Sequence, residues 1–302
     1  MKVFEDGMPF FKGNLHCHST LSDGDLSPQE VVECYRSLGY DFLALTDHRR
    51  LSPASHMDKG MLLLSGIEMD YSLAGEALHI IGIGMRPEYA HSKSGRLGPQ
   101  ECINGMRRYG GQAILAHPAW SLNTLATLTS LQNLTAAEVY NSVSTYPWNG
   151  DRADSSLLLD QAATHGSPYG FVASDDSHHY QGEAGRAFTM VQAPELSAQA
   201  ILASMEAGRF YASQGPRFEQ ITLTEEELVV HCSPVETVIF YSNLVWAFGR
   251  CQTGPGLTTA RYSRAANPGE TFLRCQLIDA QGKSAWSSPI PLAPSSAGRF
   301  GK

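Results

Sequence analysis

No apolar run in the 302 residues approaches the roughly 18 that a membrane-spanning helix needs. The opening MKVFEDGMPF has acidic and polar residues where a secretory signal has an apolar stretch. No basic block exceeds an Arg pair, and Lys plus Arg total 22 against 30 Asp plus Glu, a net charge of −8. A stripe for binding a long nucleic acid is therefore missing, while a small phosphorylated substrate is not excluded. The six cysteines stand far apart with no C-x-x-C pair, so no disulfide framework is spelled. They read as reduced thiols of a cytoplasmic protein. There is no Walker phosphate loop, and Gly82-Ile-Gly84 lacks the third glycine and the following helix of a dinucleotide fingerprint.

What remains is a globular composition, 42% hydrophobic and 17% charged, long enough for one large domain or two smaller ones. The first two thirds alternate strand and helix signals. Lys12–Cys17, Tyr40–Thr46, Met61–Ile67, Leu78–Ile83, Gln112–Ala116, Ala137–Tyr140, Tyr169–Ala173 and Ala187–Val191 read as strands. The helices are expected after the Ser27–Glu30 capping box and over Gln100–Tyr109, Asp154–His165 and Ser197–Ala207. Such alternation implies an α/β domain with a largely parallel sheet, and about seven strand units suit a distorted barrel over residues 1–215. Met61–Ile67 and Leu78–Ile83 are too close for a helical crossover and suggest an antiparallel pair about Gly75. After Gly215-Pro216 short strand-like runs without a convincing helix predict a small all-β sandwich over residues 216–302, ending in a mobile tail from Ala293.

The histidines decide the chemistry. His16 and His18, two apart on a strand, project from one face, and Cys17 between them faces the core. Asp23 follows in a turn. Other strand ends carry His48, Glu68, His117 and the run Asp175-Asp176-Ser177-His178-His179, and His79 lies on the strand paired to that of Glu68. Strand ends on one rim of an α/β barrel are where active sites assemble, and imidazole with carboxylate suits zinc, manganese or iron. His16, His18, Asp23, His48, Glu68, His79, His117, Asp176 and His178 are too many for one ion; they suit two or three divalent metals with a carboxylate such as Glu68 bridging. His56, His91, His165 and His231 read as ordinary residues.

The series Asn14-Leu-His-Cys-His-Ser, Ser22-Asp-Gly24, Leu45-Thr-Asp-His48, Gly66-Ile-Glu68, His79, Ala116-His-Pro118 and Asp176-Ser-His178 resembles the polymerase and histidinol phosphatase (PHP) metallohydrolases, with the carbaryl-hydrolase-like subgroup nearest. The resemblance implies a distorted (β/α)7 barrel. It implies one ion on His16, His18, Glu68 and Asp176, a second on Glu68, His79 and His117, and a third on Asp23, His48 and His178. The stretch between His79 and His117 is too short for the inserted domain that some family phosphatases place over the substrate. Asp175 and Asp176 compete for one ligand position, and the D-x-H spacing favours Asp176.

A site of this kind implies a metal-dependent phosphoesterase acting on a small phosphorylated metabolite or nucleotide through a metal-bridging hydroxide. The alternative is a carbamate or aryl-ester hydrolase using the same metals. His178 or His179 is placed to serve the leaving oxygen, and Arg49 and Arg186 are the candidate phosphate contacts.

Overall fold

The computed structural model of the chain describes residues 1–91 and 97–292, so the tail Ala293–Lys302 lies outside the described residues, as do Ser92–Arg96 and the side chain of His91. The strands of the first part are β1 (Phe10–Asn14), β2 (Phe42–Ala44), β3 (His56–Asp58), β4 (Met61–Leu64), β5 (Gly66–Leu73), β6 (Glu76–Ile83), β7 (Gln112–Leu115), β8 (Ala136–Asn141), β9 (Gly170–Ser174), β10 (Phe188–Gln192) and β11 (Phe210–Ser213). Then come β12 (Phe218–Leu223), β13 (Glu227–Tyr241), β14 (Cys251–Ser263), β15 (Phe272–Ile278), β16 (Ser284–Ser287) and β17 (Ile290–Pro291). The helices are α1 (Pro28–Ser37), α2 (Pro99–Arg108), α3 (Leu125–Ser130), α4 (Ser156–Thr164) and α5 (Ala198–Glu206). The architecture is mixed α/β.

Local chemistry sets the element ends. The Ser27 side chain accepts from the Glu30 amide, and the Glu30 carboxylate accepts from the Ser27 amide at 2.8 Å, a reciprocal cap that starts α1. Val31, Val32 and Tyr35 on its inner face pack against Cys17, Leu43 and Leu45. Those contacts hold β2 and the chain after β1 against the helix.

A five-stranded sheet runs β5-β6-β7-β8-β9, and a twelve-stranded one runs β12-β13-β15-β16-β11-β10-β1-β2-β4-β3, with β14 on β13 and β17 on β15. Among the described strands only β1–β2, β2–β4, β7–β8 and β8–β9 pair in parallel. The sheet expected to be largely parallel is therefore mixed. The antiparallel pair expected about Gly75 is present as β5–β6, joined by Ala74 and Gly75 alone, and β3 joins β4 across Lys59-Gly60; beyond these hairpins, β6–β7 and β10–β11 are antiparallel although α2 and α5 lie in their connections. The run Met61–Ile67 also divides, because the chain leaves β4 at Leu64 and starts β5 at Gly66. A Cβ on Gly66 would lie 2.4 Å from the Leu45 carbonyl oxygen, so only glycine lets β5 approach this closely.

The strand ends of the two sheets are tied together. Cys17 bridges Ser177, and His48 bridges Glu68, both in parallel sense. The Asp176 amide donates to the His16 carbonyl at 2.9 Å and the Arg49 amide to the Glu68 carbonyl at 2.7 Å. Main-chain bonds thus bring the ends of β1, β2, β5 and β9 to one place.

The C-terminal strands are all-β among the described residues, and their sheet is continuous with the first part through β11, which pairs with β10 on one side and β16 on the other. Phe4 and Tyr211 lie in the same apolar cluster as Phe218, Val238 and Leu277. Arg274 of β15 is fully buried, bidentate to Asp160 of α4 at 2.5 and 2.6 Å, and stacks 3.9 Å from the Tyr241 ring centroid. β14 was not foreseen, because Gly254-Pro255-Gly256 spells a turn. It pairs with β13 alone, across register shifts on either side of Val235, and is mostly exposed.

Candidate metal centre

The cavity at the tied strand ends has a volume of about 370 Å³ and is lined by His18, Asp23, His48, Glu68, His79, His117, Trp120, Val143, Ser144, Trp148, Asn149, Asp176, His178, His179 and Glu183. His16 stands behind its floor with its Nε2 3.2 Å from that of His18. The nine expected ligand residues meet here. Cys17 between the two histidines turns away into the core with α1.

Glu68 is the hub. One oxygen lies 3.3 Å from His16 Nε2, 3.2 Å from His18 Nε2 and 3.3 Å from His48 Nδ1. The other lies 2.8 Å from His79 Nδ1 and 3.6 Å from His117 Nε2. Asp176 adds an oxygen 3.1 Å from His16 and 3.0 Å from His18. Asp23, half exposed, faces His18 Nδ1 at 3.4 Å, His48 Nε2 at 3.5 Å and His178 Nε2 at 3.6 Å. Its loop folds onto His18, where a Cβ on Gly24 would meet the His18 carbonyl at 2.6 Å.

Three sets of ligand atoms lie within 4.8 Å of one another: His18, Asp23, His48 and His178; His16, Glu68 and His117; His16, His18 and Asp176. The grouping differs in detail from the expected one. His18 joins the Asp23 set because its two ring nitrogens face different acids, and His79 touches Glu68 without entering any set.

Whether these residues fit divalent cations is answered by their packing. Asp176 Oδ1 and His48 Nδ1 are buried, and the nitrogens and oxygen that stand 3.0 to 3.3 Å from them lie at angles that make no hydrogen bond. Buried polar atoms are otherwise almost always satisfied. Imidazole and carboxylate donors with vacant lone pairs at such separations suit cations. His117 and Asp176 adopt left-handed backbone (φ +29° and +57°), costing about 1–3 kcal/mol each for a non-glycine residue. The residues fit the metals.

Burial disfavours the His16 and His18 imidazolium forms, but Asp176, Glu68 and the acids beside them outweigh it and hold both rings' pKa values well above the ordinary value. Burial works against ionised Glu68 and Asp176 too, and the imidazoles overcome it, led by His16, so both acids sit below their usual range. Metal ligation requires neutral imidazole, so uptake must expel protons. Metal affinity is therefore expected to rise with pH as these rings give up their protons, in a range above the ordinary imidazole value; chelator competition at a series of pH values, with proton release followed in weak buffer, checks it.

Asp176 faces the imidazoles, whereas Asp175 points away and accepts from the amides of Gly185, Arg186 and Ala187 at 2.7 to 2.9 Å. Burial pushes Asp175 up to about 6 against those bonds. Arg49 and Arg186 do not line the cavity. Arg49 is taken up by Asp70, two residues beyond Glu68 on β5, and Arg186 lies 4.5 Å from the ring centroid of Trp148. Among the described lining residues none is Lys or Arg. His179 is exposed and raised in pKa by Asp25, 3.0 Å away. His56, His165 and His231 find local partners away from the cavity.

Sequence reasoning missed three buried carboxylates around these residues. Asp47 accepts from Ser19 N and Oγ at 2.8 Å, and Glu183 from the amides of His178 and His179 at 2.7 and 2.8 Å. Glu138 accepts from the His117 amide at 2.8 Å. One signal was readable: Glu138 is the charged residue inside the apolar strand of β8.

No family model matches the chain. It is 38% identical to a 5'-3' exoribonuclease of Haemophilus influenzae over 77 residues, and 35% identical to a 3',5'-nucleoside bisphosphate phosphatase of Chromobacterium violaceum over 79 residues. Each match covers 24% of this chain and about 28% of the curated relative's length. A solved structure from Bacteroides vulgatus, a two-domain protein containing a predicted PHP-like metal-dependent phosphoesterase, matches 96% of this chain and 97% of its own at TM-score 0.56 and 18% identity. The present chain shares the overall fold of that protein, and its histidine and acid motifs gather at the cavity.

Proposed function

We propose that the chain is a metal-dependent phosphoesterase acting on small phosphorylated substrates. The observation that carries this reading is the convergence of six imidazoles and three carboxylates, Glu68 at their centre, on one open cavity. The relatives named as a phosphatase and a nuclease support it and do not favour the carbamate or aryl-ester alternative.

His18, Asp23, His48 and His178 would hold one cation, and His16, His117, Asp176 and Glu68 the others, with His79 steadying Glu68; we infer two or three ions of manganese, zinc or iron. When bound, such ions supply Lewis-acid polarisation of a phosphoryl oxygen and a nucleophile at neutral pH. The chain's own residues do the rest. Ser19, Ser22 and Asp47 fix the loop that presents Asp23. Glu183 fixes the loop that presents His178 and His179. Trp120 and Trp148 line the cavity and exclude water beside the substrate. His179 at the mouth, held by Asp25, is the group we assign to proton donation to the leaving oxygen, a role worth about 10²–10⁴-fold.

The tied ends of β1, β2, β5 and β9 support a distorted (β/α)7 barrel as the frame, with residues 216–302 as an attached β domain. The motif spelling keeps the carbaryl-hydrolase-like subgroup as our nearest assignment. The free cysteines fit a reducing cytoplasm. Among the described residues no helix is long and apolar enough to cross a membrane.

The test is elemental analysis of the purified protein together with turnover of nitrophenyl phosphate and a naphthyl carbamate, with manganese or zinc supplied. Phosphate-ester hydrolysis that a chelator abolishes is expected. Carbamate turnover with an inert phosphate ester would reverse the reading.

A further inference from the structure

Glu138 sits inside β8, between Ala137 and Val139, with no exposed surface. Among the described residues its ion-pair partner is His16 alone, at 3.0 Å from Oε1 to Nδ1. Its other oxygen accepts from the His117 amide at 2.8 Å and from Asn141 Nδ2 at 2.9 Å. The same Asn141 nitrogen reaches Asp176 at 3.2 Å. A buried carboxylate adds little to core stability compared with an apolar residue of similar volume. This one instead touches His16, His117 and, through Asn141, Asp176.

We propose that Glu138 is the positioning residue of the metal centre: it fixes the His16 ring with its proton on Nδ1, so that Nε2 is presented to the cation, and with Asn141 it holds the His117 turn and Asp176 in place. The inference rests on the proposed metal-dependent function. An ionised carboxylate only accepts hydrogen bonds, so the His16 nitrogen facing it must be the donor. The Nε2 atom, 3.3 Å from Glu68 and 3.1 Å from Asp176, then keeps its lone pair for the metal. Outer partners of this kind orient the ring and strengthen it as a ligand.

Glu138→Gln separates this role from space filling, because its shape is unchanged. Its single oxygen is required on the side where His117 and Asn141 both donate, so its NH₂ group faces His16 and drives the ring proton onto Nε2. With Zn²⁺ and Mn²⁺ as probes in chelator competition, the variant is expected to bind about 10–100-fold more weakly, and Glu138→Asp to recover part of that loss. Nitrogen-15 spectra of the zinc-loaded native protein should show His16 protonated at Nδ1, a measurement that needs no variant and decides the matter if the Gln protein fails to fold. Native-like affinity in a folded Gln variant, or a bare Nδ1 in the native protein, would overturn the inference while leaving the phosphoesterase reading standing. A native protein that binds neither metal would overturn both.

Discussion

Glu68→Gln is expected to abolish metal retention and turnover together. The carboxylate stands within 3.6 Å of five imidazoles, and each oxygen serves a different side of the cluster. Gln offers one acceptor oxygen and no charge, so it cannot reach both sides, and its NH₂ group confronts ring nitrogens that should face a cation. The Lewis acid contributes several kcal/mol to stabilising the transition state, and about 4 kcal/mol corresponds to roughly 10³-fold in rate. Activity on nitrophenyl phosphate should fall by at least that factor, with elemental analysis showing lost metal. Full metal content with native turnover would remove Glu68 from the centre. Glutamine keeps the shape of the side chain, and far-ultraviolet circular dichroism of the variant shows whether the fold is retained.

The second large effect lies away from the cavity. Asp160→Ala is expected to cost about 3–5 kcal/mol, because it leaves the fully buried guanidinium of Arg274 without its counter-ion. The stacked ring of Tyr241 does not replace the two charge-assisted bonds to α4. Adding Arg274→Met to the Ala variant should restore most of the loss, since an apolar side chain needs no partner. Urea unfolding of the native, single and double variants measures both numbers. A loss under about 1 kcal/mol for the single variant would mean that water reaches Arg274 when Asp160 is gone.

The gathering of these residues was partly legible because His16, His48, His117 and Asp176 follow the ends of β1, β2, β7 and β9, whereas Glu68 and His79 stand inside β5 and β6. The spacing of His16 and His18 implies one face, and the structure has their Nε2 atoms 3.2 Å apart. Of Asp175 and Asp176, which share the strand-end motif, Asp176 faces the imidazoles and Asp175 turns to main-chain amides. Other features were hidden for physical reasons. Glu138 meets His16 across 122 residues of chain, a closeness made by β8 lying beside β7 and β9, which no local pattern encodes. Arg49 stands beside His48 in sequence, but the bridge between His48 and Glu68 brings Asp70 alongside it and takes up its charge. β14 was masked by its Gly254-Pro255-Gly256 turn residues, because a bulged edge tolerates what a central strand does not. The antiparallel pair about Gly75 was legible in its short connection, but the antiparallel pairing of β6 with β7 and of β10 with β11 was not, because a helix between two strands does not by itself fix their relative direction.

The ladder that runs from β1 through β10 and β11 into β16 has a consequence for how the molecule comes apart. Cutting the chain after Gly215 would strip β16 from β11, baring main-chain donors and acceptors that invite pairing with any stray strand. A chain shortened in this way is expected to aggregate more readily than the whole one.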